Sequence, residues 1–120
     1  MRIFIEDSFD AAHRLPRVPA SHKCHNLHGH TYRVHLEFGD EIDPALGWVI
    51  DYAEVKAAWE PVKILLDHKI LNDKIDNPTC ENLALFIQRA IWSQGGRAAK
   101  LLRRIEIRET EHAGVVLDCQ

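Results

Sequence analysis

From Arg2 to Ala12 the chain alternates, with Ile3, Ile5, Phe9 and Ala11 on one face and Phe4, Glu6, Ser8 and Asp10 on the other. That two-residue period predicts a half-buried strand, and only Asp7 interrupts its apolar row. Residues 13–27 have no period and are rich in Pro, Ser, Lys and His, so they read as a long loop of the kind that carries function, stiffened by Pro16 and Pro19. From His28 to Phe38 the even positions are His, His, Tyr, Val, Leu and Phe, and the odd ones Gly, Thr, Arg, His and Glu. This is a second half-buried strand, and two histidines open its apolar face.

After a turn at EIDPALG, a short WVI strand (48–50) is expected to lead into a helix. Asp51 and Glu54 have the spacing of a capping box, and Val55, Trp59, Val62 and Leu66 form one helical stripe. Pro61 is expected to kink or break this helix. Asn77-Pro78-Thr79 announces another, with Leu83, Phe86, Ile87, Ala90 and Ile91 on its buried face and Gly95-Gly96 at its end. Two strands finish the chain, the first with Ile105, Ile107 and Glu109 on one face and Arg104, Glu106 and Arg108 on the other. With no repeat and no linker, the pattern predicts one α+β domain over 1–120, an antiparallel sheet with helices packed on one face.

A 120-residue chain buries roughly 60–70% of its unfolded surface, so large cavities are better formed between subunits than within one. A net charge of −3 offers no basic footprint, which argues against nucleic acid. No apolar stretch reaches the length of a membrane span or signal peptide, so a cytoplasmic protein without membrane contact is expected. Cys24, Cys80 and Cys119 are odd in number and lack CxxC spacing, which predicts free thiols rather than a disulfide frame or thiolate zinc knuckle. The unusual feature is eight histidines.

His28 and His30 lie ~6.6 Å apart along one strand face, so their imidazoles can converge on one ion. His13 ends the first strand on its apolar face and falls beside them if the two strands pair antiparallel. Three nitrogen ligands with an open fourth position form the arrangement of catalytic rather than structural zinc, and Gly29 leaves room between the pair. His22 and His25 share the loop and remain alternatives by spacing alone. His35, on the polar side of its strand, and His112, in a turn, read as solvated.

Cys24 sits near Lys23 and His25, surroundings suited to a base or nucleophile. Asp67-His68 has the makings of a proton relay, since an adjacent carboxylate and imidazole can share a proton when the backbone turns them together. Glu109 ends an inward row, and a carboxylate there suits a ring edge presenting two adjacent N–H donors, such as an aminopyrimidinone. Arg14, Arg17 and Lys23 are the candidate cations for an anionic substrate.

The segments FDAAHRLP, CHNLHGHTY, GWVIDYAEVK, LDHKILND, NPTCEN and RETEHAG resemble the pterin-synthase family across nearly the whole chain. That family includes the 6-pyruvoyl- and 6-carboxytetrahydropterin synthases. The three residues between Cys24 and His28 are similar to the carboxy branch, whereas the pyruvoyl enzymes usually have a longer spacer.

The resemblance implies conversion of 7,8-dihydroneopterin triphosphate to 6-carboxytetrahydropterin, acetaldehyde and triphosphate, on the route to queuosine and other deazapurines. It implies Zn2+ on His13, His28 and His30, Cys24 as general base, and Asp67 with His68 as the proton-transferring dyad. Glu109 would anchor the pterin, helped by Thr79, Glu81 and Thr110; Cys80 stands where some relatives have threonine. The implied architecture is the tunnelling fold: a four-stranded antiparallel sheet with two helices on one face, closing into a barrel in trimers that stack as a homohexamer. Pyruvoyl-tetrahydropterin synthesis and a non-catalytic zinc- or pterin-binding module are the alternatives.

Overall fold

The structure, a computed structural model, describes residues Met1–Gln120. The two alternating segments become long strands, β1 (Arg2–His13) and β2 (His28–Gly39). They pair antiparallel without interruption, from Arg2 opposite Gly39 to His13 opposite His28. β4 (Leu102–Arg108) pairs with β2, and β5 (Gly114–Asp118) with β4, both antiparallel. Two helices, α1 (Tyr52–Leu66) and α2 (Cys80–Gln94), bury their stripes in one core with the inward rows of the strands.

The α+β architecture agrees with the periodicity, but there are five strands and three helices where four and two were expected. The fifth strand, β3 (Lys69–Ile70), has two residues and runs parallel to β1, giving the order β3-β1-β2-β4-β5. A third helix, α3 (Gly96–Leu101), begins at the glycine pair whose local preference predicts a stop. Gly95 at φ 68° does end α2, and Gly96 at φ 78° turns the chain into the next helix.

The WVI segment is not a strand. Val49 and Ile50 are buried, and the Val49 carbonyl accepts from the Arg97 guanidinium at 2.8 Å, so α3 satisfies backbone that a sheet would otherwise have to pair. Asp51 caps α1 as its spacing predicts, accepting from the Ala53 N–H at 2.9 Å. Pro61 does not break α1. Both Pro61 and Ala57, whose carbonyl loses its helical donor, are exposed, so water can satisfy that carbonyl while Val55, Trp59, Val62 and Leu66 hold the other face in the core. In α2 the stripe is rotated: Leu83, Ile87 and Ile91 are buried with Cys80, Ala84 and Gln88, while Phe86 and Ala90 are half-buried.

Asp7, the break in the β1 pattern, is an anchor. It points inward and accepts from the Trp59 indole N–H at 2.8 Å and from Lys63 Nζ at 3.0 Å, tying β1 to α1. Burial would raise its carboxyl, but the hydrogen bonds from Trp59, Lys63 and the Ser8 N–H outweigh this and hold it below its ordinary value. His35 lies on the polar face as expected but is not freely solvated: it sits between Glu6 at 3.1 Å and Glu37 at 3.0 Å and stacks on Phe4.

Candidate metal centre

Antiparallel pairing sets His13 opposite His28, with His30 two residues further along the same face of β2. The three imidazoles stand edge to face, with ring centroids 4.7 to 5.2 Å apart. His13 is buried, and its Nδ1 faces the Pro78 carbonyl at 2.7 Å. His28 Nδ1 faces the Asn26 carbonyl at 2.7 Å. A carbonyl can only accept, so in both rings Nδ1 carries a proton, and in the neutral imidazole Nε2 then presents a lone pair.

Those two Nε2 atoms lie 3.1 Å apart. Facing lone pairs repel unless a cation lies between them, and nitrogens at two vertices of a tetrahedral zinc site stand ~3.3–3.4 Å apart when each bond is ~2.0–2.1 Å. His30 Nε2 is buried without a hydrogen-bond partner. Burial, against the opposing charge of Glu109, keeps the His30 imidazole below its usual pKa and so favours the neutral ligand form. The donor set therefore fits zinc, with the Pro78 and Asn26 carbonyls orienting two ligands from behind.

Glu109 completes the cluster. Its Oε1 lies 3.3 Å from His13 Nε2 and 3.2 Å from His30 Nε2, and the ligand atoms of His13, His28, His30 and Glu109 all fall within 4.8 Å of one another. Glu109 lies one residue beyond β4, where its N–H bonds the Ala113 carbonyl at 3.0 Å in the turn to β5. Gly114 makes that turn possible, because a Cβ there would strike the Ile107 carbonyl oxygen. At Gly29, by contrast, an added Cβ would meet only the Ala11 carbonyl at 3.7 Å, an ordinary contact, so the histidine pair does not require glycine for space.

Lys23, Cys24, His28, His30, Glu109 and Thr110 line one cavity of about 450 Å³. Cys24 stands in a 3₁₀ turn, Lys23–His25, whose start is capped by His22 Nδ1 accepting the Cys24 N–H at 3.0 Å. That role commits one ring nitrogen of His22, and both His22 and His25 lie outside the histidine cluster. Arg14 and Arg17 are exposed and line none of this cavity, which leaves Lys23 as its one cation.

Asp67 and His68 are brought together, but not into this cavity. Asp67 closes α1, and its Oδ1 accepts from the Asp10 N–H at 3.0 Å and lies 3.2 Å from His68 Nδ1. The Asp10 N–H, then the His68 imidazole, hold the Asp67 carboxyl below the usual range. His68 has φ 58°, a left-handed conformation uncommon outside glycine, and its N–H donates to the Asp10 carbonyl at 2.7 Å. The pair thus hangs from β1, and His68 borders a separate hollow with Asp10, Thr31 and His30. Asp10 carries no signal in the sequence for this clamp, which is made by its backbone.

Thr79 caps α2, accepting from the Asn82 N–H at 3.1 Å, and Glu81 is exposed in the first turn. Neither lines the histidine cavity within one protomer. In the sequence Tyr32 is one more member of the apolar row of β2. It is fully buried with its hydroxyl 3.3 Å from His13 Nδ1, and burial, then the charge of Glu109, raises its phenol far above the ordinary range. Cys80 is buried, its thiol pushed up to about 12 by burial and by Glu109, which makes it an unreactive packing group.

A family model described as 6-pyruvoyl tetrahydropterin synthase matches residues 2–119. A dihydroneopterin monophosphate aldolase of Pyrococcus furiosus is 36% identical over 117 residues, covering 98% of this chain and 96% of the relative. A 6-carboxy-5,6,7,8-tetrahydropterin synthase of Synechocystis sp. is 35% identical over 115 residues, covering 90% and 85%. The solved 6-pyruvoyl tetrahydropterin synthase of Caenorhabditis elegans superposes with a TM-score of 0.90 at 27% identity, covering 100% of this chain and 96% of that one.

Proposed function

This chain belongs to the 6-pyruvoyl tetrahydropterin synthase family, and from that premise we propose that it is a zinc-dependent 6-carboxy-5,6,7,8-tetrahydropterin synthase. It would convert 7,8-dihydroneopterin triphosphate, with one water, to 6-carboxytetrahydropterin, acetaldehyde and triphosphate, a carbon–carbon lyase step on the way to deazapurines. The observation that carries the reading is the cluster of three imidazoles with Glu109, two of which, His28 and His30, share one cavity with Glu109 and Cys24.

His13, His28 and His30 would hold the metal, which supplies Lewis acidity that lowers the pKa of substrate hydroxyls and steadies oxyanion character. Cys24, which shares the cavity with His28 and His30, would take a proton as general base. Glu109 would accept two N–H groups of the pterin ring edge, and Thr110, which shares its turn, would add a hydroxyl. Lys23, in the same cavity, would meet phosphate.

His68, with Asp67 beside it, borders a hollow that His30 also lines. The two would return protons on the face opposite Cys24, with the Asp67 carboxylate orienting the His68 ring. Their separation from the Cys24 cavity suits a site assembled between subunits, in which the dyad, Thr79 and Glu81 serve a neighbouring copy. A homohexamer of two trimers in the cytoplasm provides such sites. No helix of the chain is long and apolar enough to cross a membrane.

The test is acetaldehyde release, followed with a coupled alcohol dehydrogenase, by zinc-loaded protein, chelator-stripped protein and stripped protein given zinc again. The proposal expects turnover lost on stripping and restored by zinc; acetaldehyde release independent of metal would overturn the zinc assignment, and no release by the loaded protein would overturn the lyase assignment.

A further inference from the structure

Glu109 occupies a place that its proposed work as a ring anchor does not explain. An anchoring carboxylate must present both oxygens to two adjacent N–H donors of the ligand, in the plane of the ring edge. Here Oε1 is turned into the histidine cluster, 3.3 Å from His13 Nε2 and 3.2 Å from His30 Nε2. With the His13–His28 separation of 3.1 Å, three edges of this four-donor cluster lie close to the ~3.3–3.4 Å of a tetrahedral zinc site, and all four donor atoms fall within 4.8 Å of one another.

The protonation of His13 makes the point sharper. Its Nδ1 proton is committed to the Pro78 carbonyl, so in the neutral ring that binds a metal its Nε2 faces the carboxylate oxygen with a lone pair, an arrangement that repels until a cation sits between them. The backbone around Glu109 is held by the Ala113 carbonyl, but its side chain is about 30% exposed and forms no hydrogen bond to another residue's N–H or O–H. It is free to rotate about its own torsions while its turn stays fixed.

We infer that Glu109 is an exchangeable fourth metal ligand, closing the histidine site while the pterin pocket is empty and leaving it when a ring edge takes both carboxylate oxygens. One oxygen cannot serve both partners, so arrival of the ring opens a coordination position as the substrate's hydroxyls come within reach. Between turnovers, the carboxylate lowers the net charge of a divalent ion on three neutral imidazoles from +2 to +1 and keeps stray ligands off it. The inference rests on the proposed metal site and adds a switch to it.

Cobalt(II) in place of zinc reports ligand exchange directly through its visible absorption. The probe is 6-methyl-7,8-dihydropterin, which has the ring edge and lacks the side-chain hydroxyls. Three cobalt-loaded proteins are compared with and without it: the unaltered chain, Glu109→Ala and His28→Ala. The expected result is a spectral change on adding the probe to the unaltered chain and none with Glu109→Ala, whose cobalt affinity falls by roughly 10–100-fold or more, since a direct ligand should cost at least as much as an outer-shell partner.

An unchanged spectrum with probe bound, failure of the probe to bind, or an unchanged cobalt affinity in Glu109→Ala would overturn the switch. His28→Ala separates the two levels of the argument. A cobalt affinity unaltered in that variant sinks the metal site itself, whereas a weakened one alongside an unaffected Glu109→Ala sinks only the role of the carboxylate.

Discussion

The contact between Asp7 and α1 lends itself to a quantitative test, because its parts can be removed one at a time. Asp7→Ala leaves the Trp59 indole N–H without an acceptor in a side chain otherwise 2% exposed, at a cost of about 1–3 kcal/mol. It also removes the Lys63 pair, whose side chains are 26% and 30% exposed, so solvent screening limits that contribution to about 0.2–1 kcal/mol. Asp7→Asn keeps an oxygen for the indole and loses only the charge, about 0.2–1 kcal/mol.

Urea unfolding at fixed protein concentration should therefore show Ala less stable than Asn by about 1–3 kcal/mol. The carboxyl is held below 3.8 in the folded chain, so its contribution is whole above the unfolded value and is lost as pH falls from about 4 through the lower folded value. The acid side of the stability curve should flatten in Asp7→Asn. Equal stability of the two variants, or an acid limb unaltered by Asn, would refute the assignment of Asp7 as the partner of Trp59 and Lys63.

Other perturbations bear on the site itself. Cys24→Ala should lower kcat by roughly 10²–10⁴ with little change in zinc content, measured by steady-state turnover and metal analysis; full turnover would remove the cysteine from the chemistry. Asp67→Asn keeps an acceptor for the Asp10 N–H but not the charge facing His68, so kcat should fall by roughly 10²–10⁴ while the thermal midpoint stays near that of the unaltered chain. Gly114→Ala should destabilise by about 1–3 kcal/mol in urea, because its Cβ meets the backbone of Ile107 and Arg108 and the turn bearing Glu109 has to move.

The histidine cluster was legible because a strand has a two-residue period: once β1 and β2 pair antiparallel, His13, His28 and His30 must share a face. The same period found β1, β2 and β4, and capping chemistry found the starts of α1 and α2. What escaped was either too short or too distant. β3 has two residues and no room for a pattern, and α3 begins at a glycine pair whose local preference is to stop a helix.

Val49 and Ile50 have strand-like side chains, yet Arg97, 48 residues away, supplies the hydrogen bond that excuses them from a sheet. Asp7 looked like a defect because its partners Trp59 and Lys63 lie 52 and 56 residues on. The Pro78 and Asn26 carbonyls that orient two imidazoles are backbone groups, which every residue has and no sequence pattern marks. Nor could spacing show that Glu109 turns toward the histidines rather than outward, since that depends on the turn closed by Ala113 and Gly114.

The account stands or falls on the product made from 7,8-dihydroneopterin triphosphate. Mass spectrometry of the reaction by zinc-loaded protein should find 6-carboxytetrahydropterin with acetaldehyde and triphosphate in equal amounts. Pyruvoyl-tetrahydropterin with triphosphate, and no acetaldehyde, would contradict the carboxy assignment and place the chain in the other branch of its family.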